Sequence, residues 1–140
     1  MAKVLDNDVK RILDAANFAH LSTLMEDGSP KVEPTWVGRD GDTILIATDN
    51  RGIKGKNIAN DKRVALSVTD FNNPYEQVLI RGKVIETRED NDLTVLDALS
   101  HQYLGTEFPR RKWTSRVVYV IEASVARYYQ SPLEHTPAND

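Results

Sequence analysis

Apolar residues recur along this chain with two periods, one typical of helices and one typical of strands. Helical spacing near the start predicts a helix capped by Asp6 or Asn7. Its apolar positions are Val9, Ile12, Leu13 and Ala16. The same spacing predicts a late helix over Asp90–Tyr103, with Leu93, Leu96 and Leu99 on one side. We also expect a short helix over Asn57–Asn60.

Six stretches have the alternation and composition of β-strands. They are Phe18–Leu24, Lys31–Val37, Thr43–Thr48, Arg63–Thr69, Gln77–Thr87 and Ser115–Ala123, and Val125–Gln130 is expected either to extend the last strand or to pair with it. Turns are predicted at Glu26–Ser29 and at Arg39–Asp42, each of which contains Asp-Gly. Gly82 predicts a bulge inside the fifth strand.

Short strands joined mostly by hairpins, with few helices, predict a mainly β fold closed into an antiparallel barrel. A doubly wound sheet needs regular alternation of strands and helices, which this chain lacks. We expect a single domain over residues 1–131. Residues 132–140 lack apolar periodicity and predict a loose C-terminal tail.

Composition narrows the functional classes. A chain of 140 residues with 40% apolar residues can form a core but has little room for an enclosed site, so a homo-oligomer is expected to complete it. The absence of cysteine excludes thiolate catalysis and disulfides. Neither a signal peptide nor an apolar run of about 20 residues is present, which predicts a cytoplasmic protein without a membrane partner.

A basic segment follows the third predicted strand. Between Arg51 and Arg63 five basic side chains accompany one acid, a local charge of +4 in a chain of net charge −3. Gly52 and Gly55 would let backbone N–H groups approach a ligand at a helix N-terminus, which favours a phosphate. The alternative is a solvated basic loop without a ligand.

The second predicted strand has two chemically different faces. Its alternation places Val32, Pro34 and Trp36 on one face, an apolar wall suited to a flat ring. Pro34 donates no ladder hydrogen bond, which suits an edge of the sheet. The alternative is that Val32 and Trp36 are core residues. Glu33, on the opposite face, is a candidate acid or base, or a solvated carboxylate.

The order and spacing of several motifs resemble a known family. These motifs are Asp27-Gly-Ser-Pro30, Val32-x-Pro34-x-Trp36, Asp40-Gly-Asp-Thr-Ile-Leu-Ile46, Lys54-x-Lys56-Asn57-Ile58, Asp61-x-Arg63-Val64, Arg81-Gly82, Tyr103-Leu-Gly105 and Arg116–Ile121. Over residues 8–128 the chain resembles the FMN-binding split-barrel proteins related to pyridoxamine 5′-phosphate oxidase. Within them it is most similar to the small oxidoreductases that use the deazaflavin coenzyme F420.

The resemblance implies a six-stranded antiparallel split β-barrel that forms a homodimer. It implies that Lys54, with Lys56 and Asn57 behind it, holds the cofactor phosphate. Many relatives carry a basic residue where this chain has Ile53, and Arg51 is expected to compensate. The resemblance also assigns Thr48 to the phosphate or the ribityl chain, and the strand from Val32 to Trp36, including Pro34, to the ring.

The implied activity is hydride transfer from reduced F420 to a small unsaturated or conjugated organic acceptor. One alternative keeps the fold and uses FMN, as an oxidase or reductase of the pyridoxamine 5′-phosphate oxidase type. Another is a small barrel that binds single-stranded nucleic acid, which the acidic chain and its scattered aromatic residues disfavour.

The histidines and a second basic cluster bear on other possible ligands. The three histidines are scattered, so no metal partner is expected. The cluster Arg110-Arg-Lys112-Trp113 would bind an anionic substrate or the acidic tail of the deazaflavin, or would be a solvated loop.

Overall fold

A computed structural model describes residues 2–109 and 115–136 of the chain. Within these ranges the helices are α1 (Asn7–Asp14), α2 (Ile53–Asn60) and α3 (Thr94–Leu104). The strands are β1 (Ala19–Leu24), β2 (Pro30–Thr35), β3 (Gly38–Asp40), β4 (Thr43–Asp49), β5 (Arg63–Thr69), β6 (Glu76–Glu89) and β7 (Arg116–Gln130). The cluster Arg110-Arg-Lys112-Trp113 lies outside the described residues.

The strands form one antiparallel sheet in the order β2-β1-β5-β6-β7-β4-β3. Among the described residues, the edge strands β2 and β3 pair with β1 and β4 only, so the sheet does not close. This arrangement confirms the split barrel, whereas the closed barrel expected from the hairpins alone was wrong. Pro34 lies on an edge strand, as its missing N–H predicted.

The strand count of six was wrong, because the predicted turn at Arg39–Asp42 contains a seventh strand. Gly38 and Asp40 pair with Leu45 and Thr43 across a tight turn. Gly41 in that turn has a φ of 59°, in the left-handed region that favours glycine. A strand of three residues is too short to show an alternating pattern, so only its turn could be recognised.

The core lies on the concave face of the sheet and is covered by α1. Asp6 caps this helix by accepting a hydrogen bond from the Val9 backbone N–H at 3.0 Å. Val9, Ile12 and Leu13 are fully buried against the sheet. Burying such side chains contributes about 1.5–3 kcal/mol each, so α1 is held mainly by its apolar face.

Strands β6 and β7 form the long central antiparallel pair of the sheet, with α3 in the connection between them. Their register shifts between Arg81 and Gly82, which confirms the bulge predicted at the glycine. A Cβ atom at Gly82 would lie 2.1 Å from the Glu122 carbonyl oxygen, so this close approach requires glycine. Strand β7 continues through Val125–Gln130, so this segment extends the last predicted strand rather than forming a separate strand that pairs with it.

Helix α2 begins four residues earlier than the predicted Asn57–Asn60, so that prediction was wrong at its start. Gly52 is the N-cap, and the supposed loop residues Ile53–Lys56 form its first turn. The helix includes Gly55, whose low helix propensity hides the turn from sequence reading. In the structure, packing of Gly55 against the Asn50 carbonyl stabilises this turn.

Helix α3 starts at Thr94 rather than at the predicted Asp90. Leu93 has a φ of 64°, a left-handed conformation that separates Asp90 from the helix. The Asp90 carboxylate accepts hydrogen bonds from the Val95 and Leu96 N–H groups at 2.9 and 3.0 Å. Asp90 therefore caps α3 from outside it. Among the described residues, no helix has the length and apolar character needed to cross a bilayer.

Candidate functional site

The end of β4 and the first turn of α2 lie opposite the edge strand β2 and enclose a cavity of about 520 Å³. We call it the lysine cavity. Its lining residues are Lys31, Glu33, Thr48, Asp49, Arg51, Gly52, Ile53 and Lys54. Lys31 and Glu33 reach it because they pair with Thr23 and Leu21, whose side chains face the core.

Lys54 is the most buried charge of the lysine cavity, with 13% of its side chain exposed. Its Nζ lies 3.8 Å from Glu33 Oε1, and Lys31 Nζ lies 3.0 Å from the same oxygen. Burial lowers the pKa of Lys54, the Glu33 carboxylate opposes this effect, and the charges of Lys31 and Arg116 add to it. The ammonium group is therefore poorly stabilised, and an anion entering the cavity would relieve it.

The N-terminus of α2 adds a second attraction for anions. The N-cap Gly52 has no side chain to accept a hydrogen bond from the first N–H groups of the helix. A Cβ atom at Gly52 would meet no atom within 4 Å, so the backbone here is open to a ligand. Thr48 lines the same cavity. A lysine, a helix N-terminus and a hydroxyl thus face one space, a donor set suited to a phosphate.

Arg51 lies at the rim of the lysine cavity and is paired with Asp49. Its Nη2 lies 2.7 Å from Asp49 Oδ2, and its backbone N–H donates to Oδ1 of the same carboxylate at 2.7 Å. This pairing lowers the pKa of Asp49 to about 2. Asp61 pairs with Arg63 in the same way. Asp61 is already counted in the charge of +4, so including Asp49 lowers the local charge of the basic segment to +3.

Lys56 and Asn57 lie on the other side of α2 and do not reach the lysine cavity. Lys56 lines a separate cavity of about 400 Å³ with Met25, Glu26 and Asn60. The Asn57 amide, buried beneath the helix, donates to Thr23 Oγ1 at 3.0 Å and to Met25 Sδ at 3.3 Å. Asn57 thereby holds α2 against β1, which in turn positions Lys54.

Val32 lies on the outer face of the sheet and is 64% exposed, so the interpretation of Val32 as a core residue was wrong. It borders a groove of about 450 Å³ with His20, Leu79 and Arg127. Pro34 shares this outer parity, because it pairs with His20. The alternation predicted for the strand was correct, but its apolar face points away from the core.

Trp36 belongs to a third space, which we call the aromatic cavity, of about 310 Å³. It is lined by Phe18, Pro34, Thr35, Trp36, Ala47, Leu96, Phe108 and Arg116. The Trp36 ring stacks on Tyr103 at a centroid distance of 5.0 Å, and Phe108 meets its edge at 6.0 Å. The aromatic and lysine cavities both lie along β2 and β4, since Thr35 and Ala47 line one while Glu33 and Thr48 line the other.

Tyr103 supports the Trp36 wall of the aromatic cavity and is itself held by hydrogen bonds to the backbone. Its hydroxyl accepts a hydrogen bond from the Val37 N–H at 2.9 Å and donates to the Asn17 carbonyl. Burial raises the pKa of Tyr103 to about 12, so the hydroxyl keeps its proton at neutral pH. The neighbouring Gln102 donates to carbonyls of α1 and of the segment after β2. Helix α3 therefore holds Trp36 in place.

Of the predicted site residues, the structure brings together Thr48, Arg51 and Lys54 in one cavity, and Pro34 and Trp36 in the next. It separates Val32, Lys56 and Asn57 from both. Sequence reasoning missed Phe108, and it gave no role to Tyr103 or Arg116 within their motifs. Among the described residues, no group of three or more His, Asp and Glu side chains is arranged to hold a metal ion.

Comparison with solved structures shows the same fold in several proteins. An F420 reductase aligns with a TM-score of 0.79 at 29% identity, covering 88% of this chain and 98% of the reductase. A conserved hypothetical protein from Mycobacterium tuberculosis aligns with a TM-score of 0.76 at 19% identity, covering 99% and 94% of the two chains. General stress protein 26 from Bacillus anthracis aligns with a TM-score of 0.67 at 17% identity, covering 91% of this chain and 96% of its own.

Sequence comparison gives the family directly. No curated protein sequence matches the chain significantly. The family model for pyridoxamine 5′-phosphate oxidase, in contrast, matches residues 5–130, nearly the whole chain. This match and the structural alignments confirm the resemblance stated from the motifs. The chain belongs to the pyridoxamine 5′-phosphate oxidase family of split-barrel proteins.

Proposed function

We propose that this protein is an oxidoreductase that binds coenzyme F420 and uses it to reduce a small unsaturated or conjugated organic molecule. The observation that carries the proposal is the buried ammonium group of Lys54, which lies in one cavity with the N-terminus of α2. The similarity to an F420 reductase over 88% of the chain supports the choice of cofactor.

The residues of the lysine cavity would hold the cofactor phosphate. Lys54 contributes charge, the first N–H groups of α2 contribute hydrogen bonds, and Thr48 contributes a hydroxyl. Arg51 at the rim adds a second cation that is already oriented by Asp49. Asn57 would act indirectly, because it anchors the helix that carries Lys54. Lys56 lies on the same helix but lines the separate cavity, so it would not contact the phosphate itself.

The aromatic cavity would hold the ring. Pro34 and Trp36 offer apolar surface, and the stacking of Trp36 on Tyr103 keeps that surface fixed. The bound cofactor supplies hydride donation to the acceptor. The chain itself orients the ring and excludes water, so an enzyme of this type does not need a catalytic triad.

FMN is the second candidate cofactor, because the chain belongs to the pyridoxamine 5′-phosphate oxidase family, and its resemblance to the FMN-binding members of that family implied an FMN-dependent oxidase or reductase. The donor set of the lysine cavity suits the phosphate of either cofactor. An FMN-dependent oxidase or reductase would use the same residues for phosphate and ring.

Titration of the purified protein with F420 and with FMN tests the proposed function. We expect saturable binding of F420, seen as a change of its fluorescence, and slow but enzyme-dependent reoxidation of reduced F420 when conjugated acceptors are added. Saturable binding of FMN alone would transfer the proposal to the flavin alternative. Failure of both cofactors to bind would contradict it.

We also propose that the protein acts as a homodimer, in agreement with the expectation from its size. Val32, on the outer face of edge strand β2, is 64% exposed although it is apolar, and a second copy would cover it. Sedimentation equilibrium should give about twice the chain mass of 15.8 kDa. A mass equal to that of one chain at micromolar concentration would exclude a stable dimer.

A further inference from the structure

Glu33 places a negative charge inside a cavity that otherwise attracts anions. Its carboxylate lies 3.0 Å from Lys31 Nζ and 3.8 Å from Lys54 Nζ, and its side chain is 34% exposed. Because β2 alternates, Glu33 projects from the same face of the strand as Lys31. A phosphate held by Lys54 would therefore lie beside a carboxylate.

The charges that line the lysine cavity leave one net positive charge. Its three cations are Lys31, Arg51 and Lys54, and its two carboxylates are Glu33 and Asp49. Arg116 on β7 also acts on Lys54, but Asp49 and Asp90 act on Arg116 in turn. Asp49 accepts three hydrogen bonds from the Arg51 guanidinium, so Glu33 is the carboxylate that faces Lys54 directly.

We propose that Glu33 selects the charge of the bound phosphate, so that the lysine cavity prefers a phosphodiester over a phosphomonoester. This inference rests on the proposed binding of a phosphate in that cavity. A phosphodiester carries one negative charge and balances the cavity. A phosphomonoester carries about −1.5 to −2 at pH 7, so its second charge meets the Glu33 carboxylate, and the described residues that line the cavity offer no further cation to balance it.

Such selection would separate the two candidate cofactors. The phosphate of F420 is a phosphodiester, whereas the phosphate of FMN is a phosphomonoester. The partial burial of the cavity makes this difference larger than at an open surface, because charges in a less polar environment are screened less. Glu33 thus becomes a specificity-determining residue through the charge that it adds rather than through a contact with the ring.

The test compares two ligands that differ only at the phosphate. FMN, a phosphomonoester, and FMN methylated on one phosphate oxygen, a phosphodiester, are each titrated into wild type and Glu33→Gln at pH 7.5 and low salt. In wild type we expect the diester to bind about tenfold more tightly. In Glu33→Gln the affinity for FMN should rise about tenfold while that for the diester rises less, so the ratio of the two dissociation constants shifts toward FMN. Glu26→Gln is the matched control, because Glu26 lines the separate cavity beside Lys56.

The wild-type ratio needs no variant, so a folding defect in Glu33→Gln would leave the first half of the test intact. Tighter binding of FMN than of the diester in wild type overturns the inference. A ratio that is the same in Glu33→Gln and wild type also overturns it.

A ring-free pair separates this inference from the proposed function. If neither F420 nor the two flavins bind, ribitol 5-phosphate and its methyl phosphodiester are titrated by NMR into the same proteins. Selective binding of the diester, lost in Glu33→Gln, would support charge selection although the cofactor proposal had failed. Absence of binding by F420 and by all four of these compounds would overturn both.

Discussion

Lys54→Ala is expected to weaken the binding of F420 or FMN by about 1–3 kcal/mol, or roughly 5- to 150-fold. The variant removes a charge-assisted contact to the phosphate from a position that is 13% exposed. Because burial and neighbouring cations already lower the pKa of Lys54, the ammonium group gains more from an anion than an exposed lysine would. Fluorescence titration of both proteins measures the difference.

Lys83→Ala is the matched control for this prediction. Lys83 is exposed on β6 and pairs across the sheet with Arg63, so its removal changes the net charge equally without touching the lysine cavity. Thermal unfolding without ligand gives a second readout. Removing a poorly solvated charge should leave the stability of the empty protein unchanged or raise it slightly. Equal cofactor affinity in Lys54→Ala and wild type would refute the assignment of the phosphate site.

Gly55→Ala is expected to destabilise the protein by about 1–3 kcal/mol and to weaken cofactor binding with it. An added Cβ atom would lie 2.3 Å from the Asn50 carbonyl oxygen, a backbone atom that cannot move aside as a flexible side chain can. Alanine gains about 1 kcal/mol over glycine inside a helix, but this gain cannot offset a clash that displaces the main chain. The segment that must move carries Arg51 and leads to Lys54. Chemical denaturation and cofactor titration measure the two effects.

Gly52→Ala provides the comparison within the same segment. Gly52 has open space around its Cα and a φ of −79°, which alanine adopts without strain. Its loss of stability should be less than about 1 kcal/mol, the range for a changed N-cap. If Gly55→Ala proves as stable as Gly52→Ala, the close packing of α2 against Asn50 does not hold the loop in place.

Periodicity in the sequence predicted most of the fold because most elements are long enough to show it. Helix α1 repeats its apolar residues over two turns, and β5 alternates buried and exposed side chains throughout. The elements that escaped are the ones with little pattern. Strand β3 has three residues, and the first turn of α2 contains a glycine. The prediction that the barrel is split came from the resemblance to a known family, not from periodicity.

Part of the candidate site was predicted from the sequence. Helix geometry explains why the structure separates Lys56 from Lys54. Lys54 and Lys56 are two residues apart, so they lie on nearly opposite sides of a helix and cannot bind one phosphate together. They look equivalent only if the segment is a loop. Once α2 begins at Ile53, Lys54 turns toward β2 and Lys56 turns toward Met25.

The aromatic cavity illustrates what a single sequence conceals. Val32 and Trp36 have the same parity, but β2 ends at Thr35, so Trp36 no longer follows the strand and turns toward Tyr103. Tyr103 is 67 residues beyond Trp36 in the chain, and no local pattern joins them. Their stacking depends on the packing of α3, which only the tertiary structure shows.

The two prolines of β2 bear on how this protein behaves at high concentration. An unpaired strand edge is a template on which another molecule can add its own strand, which is the first step toward fibrils. Pro30 and Pro34 remove two amide donors from a strand of only six residues. The barrel can therefore stay open along β2 for a ligand while being a poor starting point for self-assembly into β-aggregates.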